Sequence, residues 1–283
     1  MPLIIVPTPI GNLGDITARA IEALRSADVI ACEDTRRTLK LLNYFEIKKS
    51  LVSYHRHNER SRSADILERL ERGETVALVS DAGTPGISDP GYVVIEAAIE
   101  RGFDVDVLPG PNAILPALLM SGLPAREFFF AGFVAGSESE ITRALEEMKN
   151  IRATLVFYAA PHDIEKLLAS VCRVFGSRRG AIAREISKIH KETIRGNLSE
   201  LLDTASAREL KGEMVLVLEG APETKDDFSP APPEKWERLA SEMKKEGIYD
   251  KVIANVLFAG YGIPRNRVKD FLTREAAISE REK

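Results

Sequence analysis

Residues 75–91 read TVALVSDAGTPGISDPG, and this stretch decides the fold class. Its first part, VALV (76–79), is apolar at every position, which is typical of a parallel β-strand that is buried on both faces. Its second part is a polar turn rich in glycine and proline. A buried strand that leads directly into such a turn predicts an open α/β sheet with a ligand-binding loop at the carboxyl end of the strand.

The alternation of apolar runs and amphipathic segments extends on both sides of this stretch. Apolar runs predict strands, and apolar residues at helical spacing predict the helices between them. In the first half of the chain, the predicted strands cover residues 3–6, 28–32, 51–54, 75–80 and 104–108, and the helices 17–26, 35–45, 58–72 and 91–101. A second block has predicted strands over 128–131, 154–158, 180–183, 191–195 and 213–219, with helices over 138–150, 162–175 and 198–205.

These patterns predict the α/β fold class and a division of the chain into four parts. We expect two α/β domains, over residues 1–121 and 122–220. Four prolines with acidic neighbours predict a linker over residues 221–233. Beyond it, three short helical patterns predict a helical extension over residues 234–283.

Composition excludes several classes of protein. With 283 residues, 44% hydrophobic and 29% charged, the chain is long and apolar enough for about two globular domains. The net charge of −4 argues against a globally basic nucleic-acid binder, so a polyanion would have to be held by a local patch. Cys32 and Cys172 lie too far apart in sequence for a zinc motif, and no signal peptide or membrane segment is predicted. We therefore expect a soluble, cytoplasmic protein.

Polar, glycine-rich clusters follow all five predicted strands of the first block. They are PTPIGN (7–12), EDTRR (33–37), HRHNE (55–59), SDAGTP (80–85) and PGPN (109–112). Because the carboxyl ends of parallel strands meet at one edge of a sheet, these clusters predict a single site.

Each loop also has a purely structural interpretation. Glycine and proline are common turn residues, and Asn12, Asp15 or Thr17 would cap the next helix. Glu33 and Asp34 beside two arginines would form a structural ion-pair cluster. No spacing of histidines and carboxylates resembles a metal site, and neither a P-loop nor a dinucleotide-binding fingerprint occurs.

Positive charge is concentrated in two stretches of this acidic chain. Residues 33–62 and residues 178–191 each carry a net charge of +4. Tyr44, Phe45 and Tyr54 lie in the first stretch, where they would either stack on bases or pack in the core. A local RNA-binding surface is therefore compatible with the acidic total.

Together these loops resemble the ribosomal RNA small-subunit methyltransferase I family, within the tetrapyrrole-methylase (class III) group of S-adenosylmethionine-dependent methyltransferases. The motifs that carry the resemblance occur in order along nearly the whole chain: PTPIGNLGDIT (7–17), ACEDTRRT (31–38), SYHRHNE (53–59), LVSDAGTPGISDPG (78–91), LPGPNA (108–113), SGLP (121–124) and KGEMVLVLEG (211–220). The resemblance implies a homodimer with S-adenosylmethionine in the cleft between two α/β domains. It also implies methylation of the ribose 2′-hydroxyl of a cytidine in the decoding region of 16S rRNA, in the small ribosomal subunit.

The resemblance and the residue types together assign roles within the site. The expected cofactor-binding residues are Pro9, Gly11, Asp81, Gly83, Thr84, Asn112, Ala113, Tyr158 and Met214. The expected substrate-binding residues are Arg36, Arg37, Asn58, Glu59 and Arg184. For catalysis we expect Glu33, Asp34 and His55, with Asp34 or His55 accepting or relaying the proton of the 2′-hydroxyl.

One segment departs from the family pattern. After Gly132-Phe133 the family is typically basic, whereas residues 134–143 read VAGSESEITR, with only Arg143 basic. Part of the expected RNA-facing surface is therefore missing or moved. Two other functions stay open: a methyltransferase for a small tetrapyrrole-like substrate, and a ribosome-associated binding module that retains the cofactor but not catalysis.

Overall fold

The computed structural model describes residues 2–222 and 233–281. The chain divides into two compact units, Met1–Ala221 and Pro222–Lys283. Both α/β blocks lie in the first unit, and the helical tail lies in the second. Within the described residues, no helix combines the length and the apolar character needed to cross a membrane.

The first sheet is parallel throughout, which confirms the prediction from its continuously apolar runs. Its strands are β1 (Leu3–Ile5), β2 (Val29–Cys32), β3 (Ser50–Ser53), β4 (Val76–Val79) and β5 (Val105–Val107). They lie side by side in the order β3-β2-β4-β1-β5, and every residue of β2 and β4 is buried. Burial on both faces explains why these two strands are apolar at every position.

Four helices cover the two faces of this sheet, α1 (Ala18–Ser26), α2 (Thr35–Tyr44), α3 (Glu59–Glu71) and α4 (Tyr92–Glu100). Side chains of β2 alternate between the faces, so Ile30 packs with α1 and α2 while Ala31 packs with α3 and α4. Thr17 and Asp34 cap the first two helices through their side-chain oxygens. Because the strands are parallel, the loops after β1, β2 and β4 all lie at the carboxyl edge of the first sheet.

The second sheet is mixed. Its strands are β6 (Phe128–Phe133), β7 (Thr154–Ala159), β8 (Arg179–Arg184), β9 (Glu192–Asn197) and β10 (Met214–Leu218), in the order β6-β7-β10-β8-β9. Only the β6–β7 pair is parallel among these neighbours. One face is covered by α6 (Glu138–Met148), α7 (Ile164–Phe175) and α8 (Leu198–Ala207).

The other face of the second sheet is covered by α5 (Ile114–Ser121). Ala117 and Leu118 of this helix are buried against Val156, Ala183 and Val215. The chain that leaves β5 therefore crosses to the second sheet before residue 121. The boundary predicted between residues 121 and 122 stays a prediction, but it would separate α5 from the sheet on which it packs.

The second unit contains three helices in its described residues, α9 (Pro233–Lys245), α10 (Asp250–Tyr261) and α11 (Arg265–Arg281). Trp236, Leu257 and Leu272 are buried in its core. The three helical patterns of the predicted extension are thus confirmed. Of the predicted linker, residues 223–232 lie outside the described residues.

Candidate active site

A cleft of about 640 Å³ lies between the loop edge of the first sheet and the second sheet. Both sheets contribute to its walls, which is the arrangement expected for a ligand that is enclosed on two sides. From the first sheet and α5 the lining residues are Ile10, Glu33, Arg37, Asp81, Ala82, Gly83, Thr84, Ile87, Ser88, Asp89, Asn112, Ala113, Ile114 and Leu115. From the second sheet and its loops they are Phe128, Phe133, Tyr158, Ala159, Ala160, Pro161, Ile186, Glu213, Met214 and Val215.

Hydrogen bonds to the loop after β1 fix the conformation of the loop after β4. Thr8 and Gly83 exchange two backbone hydrogen bonds of 2.9 Å, and the Thr8 hydroxyl donates to the carbonyl of Ser80 at 3.0 Å. Gly83 has a φ of +79°, a conformation that residues with a Cβ rarely adopt. The cradle formed by residues 81–84 therefore depends on glycine at this position.

Asp81 connects the loop after β4 to the loop after β2. Its Oδ1 accepts the backbone N–H of Asp34 at 3.0 Å, and its Oδ2 lies 3.2 Å from Nη1 of Arg37. Arg37, an expected substrate residue, thus lies at the cleft but pairs with an expected cofactor residue. The ion pair brings the 33–37 and 80–85 loops together, as the single-site prediction requires.

The cleft contains carboxyl groups that hold their protons more tightly than a carboxyl in water. Burial raises the pKa of Glu33, and the negative charges of Asp81 and Asp89 raise it further. Burial likewise raises the pKa of Asp89, with Asp81 adding to the effect. The sequence alone does not single out Asp89, because DPG is a common helix start and the position of this carboxyl depends on the path of the 80–91 loop.

Of the two adjacent carboxylates, only Glu33 lines the cleft. The Oδ1 of Asp34 accepts the backbone N–H of Arg36 at 2.8 Å and so caps α2. The structural interpretation therefore accounts for the contacts of Asp34. The expected catalytic roles of Asp34 and Glu33 both stay predictions, but only the Glu33 side chain belongs to the cleft lining.

His55 and Asn58 form a local turn outside the residues that line the cleft. The His55 N–H donates to Oδ1 of Asn58 at 2.7 Å, and the amide nitrogen of Asn58 lies 3.2 Å from Nε2 of His55. The same amide donates to the carbonyl of Ser53. The Nδ1 of His55 is buried and has no hydrogen-bond partner among the described residues. Asn58 thus orients His55 in this structure.

Two further expected substrate residues make contacts elsewhere. Oε1 of Glu59 accepts the backbone N–H of Gly91 at 3.1 Å, which ties the start of α3 to the start of α4. Arg184 donates to Glu192 at 2.6 Å and to the carbonyl of Lys211 at 2.8 Å. Neither residue lines the cleft, and Arg36 at the start of α2 does not line it either.

Most of the expected cofactor residues converge on the cleft. Asp81, Gly83, Thr84, Asn112, Ala113, Tyr158 and Met214 all line it. Pro9 and Gly11 do not, although Ile10 between them does. The Tyr158 ring packs against Phe130 and Phe133, with ring centroids 4.9 and 5.3 Å apart. Burial, followed by the charges of Asp89 and Glu213, raises the pKa of Tyr158 to about 12.

The described residues contain no group of three or more His, Cys, Asp or Glu side chains placed to hold a metal ion. The lining instead combines backbone, apolar side chains and a few carboxylates and amides. This composition suits an organic ligand with polar groups at its ends.

Comparisons with known proteins identify the family. The Tetrapyrrole (Corrin/Porphyrin) Methylases family matches residues 2–202. "Ribosomal RNA small subunit methyltransferase I" of Halalkalibacterium halodurans is 41% identical over 280 residues, covering 96% of this chain and 95% of the relative. The protein of the same name from Bacillus subtilis is 43% identical over 249 residues, covering 88% of this chain and 84% of the relative.

Solved structures show the same fold at lower identity. Uroporphyrin-III-C-methyltransferase from Thermus thermophilus matches with a TM-score of 0.56 and 20% identity, covering 77% of this chain and 94% of that chain. Diphthine synthase matches with a TM-score of 0.59 and 19% identity, covering 77% and 90%. By the match of the family over residues 2–202 and by the relatives at 41–43% identity, the chain belongs to the tetrapyrrole methylase family and, within it, to the ribosomal RNA small subunit methyltransferase I group.

Proposed function

We propose that this enzyme transfers the methyl group of S-adenosylmethionine to the ribose 2′-oxygen of a cytidine in the decoding region of small-subunit rRNA. The observation that carries the proposal is the convergence of the 33–37 and 80–89 loops on one cleft. It occurs in a chain whose relatives carry the name "Ribosomal RNA small subunit methyltransferase I" at 41–44% identity. The acceptor atom and nucleotide rest on the family resemblance of these same loops.

The residues of the cleft fit S-adenosylmethionine. A volume of about 640 Å³ lies within the usual range for small-molecule sites, about 300–1,000 Å³. The glycine cradle at residues 81–84 permits close approach to backbone, and Asp81, Thr84 and Asn112 supply polar groups. Ala113, Met214 and neighbouring apolar residues supply the remaining surface. When bound, the cofactor supplies an electrophilic methyl group on a positively charged sulfur.

Within this chain, Glu33 is the residue best placed to take the proton from the 2′-hydroxyl. It lines the cleft, and its raised pKa makes its carboxylate a stronger base than an ordinary glutamate. Asp81 and Arg37 hold the loop that carries Glu33 against the cofactor cradle. The residues thereby orient the acceptor oxygen and remove its proton, which are the two tasks that an in-line displacement leaves to the protein.

The outer face of α2 supports an RNA substrate. The helix begins at the cleft with Arg36 and Arg37, and it contains no acidic residue. Arg36 and Lys40 are exposed, and neither has a carboxylate partner among the described residues, while Tyr44 is 64% exposed. Free cations beside an exposed aromatic ring suit phosphates and an unstacked base.

The non-basic segment after Phe133 has a local structural role. Ser137 and Glu140 form a capping box at the start of α6, and Glu138 pairs with Arg173 at 2.6 Å. These acidic residues stabilise a helix start, so the segment supplies no free cation beyond Arg143. This supports α2, rather than the segment after Phe133, as the principal RNA-facing surface.

A homodimer in the cytoplasm completes the proposal. The family resemblance implies both, and large apolar side chains that stay exposed on α5 and on the edge strand β6 support self-association. They are Leu119 and Phe129, which do not line the cleft. Light scattering at two protein concentrations tests the dimer, and a monomer at both would contradict it.

The substrate is tested by giving labelled S-adenosylmethionine and the enzyme three acceptors. They are small subunits that lack the modification, naked 16S rRNA and a tetrapyrrole. We expect label in a single cytidine of the assembled subunit, with much less in naked rRNA, because local charge of an acidic protein gives weak non-specific binding. Label in the tetrapyrrole would overturn the proposal, and cofactor binding without transfer to any acceptor would indicate a binding module.

A further inference from the structure

We infer that Lys188 is a positioning residue that fastens the 7–12 loop of the first sheet to the second sheet and so holds the two walls of the cofactor cleft together. The inference rests on the proposed function, because it assigns Lys188 a part in binding S-adenosylmethionine. Lys188 lies in the turn between β8 and β9 and does not itself line the cleft.

The side chain of Lys188 lies directly over Gly11. A Cβ placed on Gly11 would lie 2.5 Å from Cγ and 2.9 Å from Cε of Lys188, closer than real Cβ atoms come to other heavy atoms. Because residue 11 has no Cβ, the Lys188 side chain can pack against its backbone. Gly11, an expected cofactor-binding residue, thus contacts Lys188 and does not line the cleft.

The ammonium group of Lys188 is fixed at the other end. Its Nζ donates to Oε1 of Glu185 at 2.9 Å and to Oε2 of Glu213 at 3.0 Å. Oε1 of Glu185 also accepts the backbone N–H of Glu213 at 3.0 Å. The Lys188 and Glu185 side chains are mostly buried, so this pair is shielded from solvent more than an ordinary surface ion pair.

The backbone around the lysine is shaped for this contact. Glu185 and Ser187 have φ values of +52° and +66°, which are unfavourable for residues other than glycine. The Glu185 carboxylate lies where a Cβ on Gly212 would be placed, so this contact requires glycine at position 212. Such a backbone conformation persists only where surrounding contacts stabilise it. Lys188 supplies two of these contacts, its hydrogen bonds to Glu185 and Glu213.

The neighbours of these residues form opposite walls of the cleft. Ile10, next to Gly11, belongs to the wall from the first sheet. Ile186 and Glu213 belong to the wall from the second sheet. Lys188 therefore joins the two walls through residues adjacent to the lining, and its removal would let the distance between the walls vary. A cofactor held by both walls would then bind less tightly.

The first test compares Lys188→Met with Lys149→Met. Lys149 also pairs with a glutamate three residues before it, but away from the cleft. Lys188→Met removes both hydrogen bonds of the ammonium group, and we expect it to raise the Kd for S-adenosylhomocysteine about tenfold, while kcat at saturating cofactor changes less than about threefold. Lys149→Met should bind as the wild type does. Unchanged affinity in Lys188→Met would overturn the inference.

Chemical restoration of the ammonium group separates positioning from a general loss of folding. Lys188→Cys treated with bromoethylamine regains an aminoethyl side chain of almost the original length. We expect the treatment to restore affinity for S-adenosylhomocysteine, whereas the treated wild type, which carries Cys32 and Cys172, should be unchanged. Restored thermal stability without restored affinity would show a structural role only and would contradict the inference.

A double-mutant cycle measures the contact between Gly11 and Lys188 through the Tm of the protein, without any ligand. Gly11→Ala should lower the Tm strongly when Lys188 is present and much less in the Lys188→Ala background, because the strain at the positive φ of residue 11 is common to both and cancels. Additive effects would overturn the contact. If the wild type bound no cofactor, the proposed function would fail while this cycle could still succeed, so the two failures are distinguishable.

Discussion

The two sheets contribute different chemistry to one cleft. The loop edge of the first, parallel sheet supplies Glu33, Asp81 and Asp89, together with the cations of α2. The second, mixed sheet supplies mainly apolar and aromatic surface, such as Phe133 and Val215. From this difference we propose that recognition and proton transfer belong to the first sheet, while the second sheet shapes and encloses the site. Substitutions on the two sides should therefore have effects of different size and kind.

The largest effect is expected at Glu33. Replacing it by glutamine keeps the size of the side chain but removes the base, so methyl transfer should fall about 10²–10⁴-fold in single-turnover experiments. Binding of S-adenosylhomocysteine, followed by calorimetry, should stay within about threefold of the wild type. Asp34→Asn, a matched change one residue away, should keep most of the rate because Asp34 caps α2. The reverse ranking would move the base to Asp34 and refute the assignment to Glu33.

That contrast also shows how far the sequence predicts the site. Continuous apolar runs identify the parallel strands, and polar loops after them identify the edge where a ligand binds. The order of the strands is set by tertiary packing, however, and β3 lies at the outer edge of the sheet. The 55–59 loop that follows β3 does not line the cleft, although its residues look as functional as those of the other loops, whereas the loop after the opposite edge strand, β5, does line it.

Other parts of the site could not be predicted because they depend on how the two sheets are placed relative to each other. Ile186 follows β8 and Glu213 precedes β10, so both reach the cleft only because the second sheet forms one of its walls. Gly11 lies in a recognisable motif, but the reason for glycine there is the side chain of Lys188, which is distant in sequence and would collide with a Cβ at position 11. By contrast, α5 follows a predictable loop, and its packing on the second sheet carries Asn112 and Ala113 to the cleft.

A second expected effect concerns the cations of α2. Arg36→Gln with Lys40→Gln should raise the KM for small subunits about tenfold. It should also reduce the slope of log affinity against log salt by about 0.7 for each phosphate that the helix no longer neutralises. The control is Arg143→Gln with Lys149→Gln, the same charge change at the α6 helix. An equal decrease in affinity in both double variants would place RNA binding on both sheets and remove the distinction between them.

A smaller effect is expected on stability as a function of pH. The folded pKa of Glu33 is raised, chiefly by burial, so its stabilising contribution is present below the unfolded pKa and is lost as pH rises through the folded value. Glu33→Gln should therefore gain in Tm relative to the wild type as pH rises from about 4.3 toward neutrality. Glu74, whose pKa is lowered by its hydrogen bond with Arg69, is a control of opposite sign. Glu74→Gln should lose Tm relative to the wild type as pH rises through the acidic range up to about 4.3, because a lowered pKa gives stability that is gained below the unfolded value. A Glu33→Gln variant that also lost Tm relative to the wild type as pH rose would contradict the burial of Glu33.

The smallest effect is expected from the hydroxyl of Tyr158, a titratable group that β7 places in the cleft. With a pKa of about 12 the hydroxyl stays protonated at neutral pH and cannot accept a proton, so Tyr158→Phe should keep kcat/KM within about threefold. Tyr158→Ala removes the ring that packs against Phe130 and Phe133 and should raise the Kd for S-adenosylhomocysteine about tenfold. A large decrease in rate in Tyr158→Phe, with cofactor affinity intact, would show that the second sheet takes part in the chemistry and not only in the shape of the cleft.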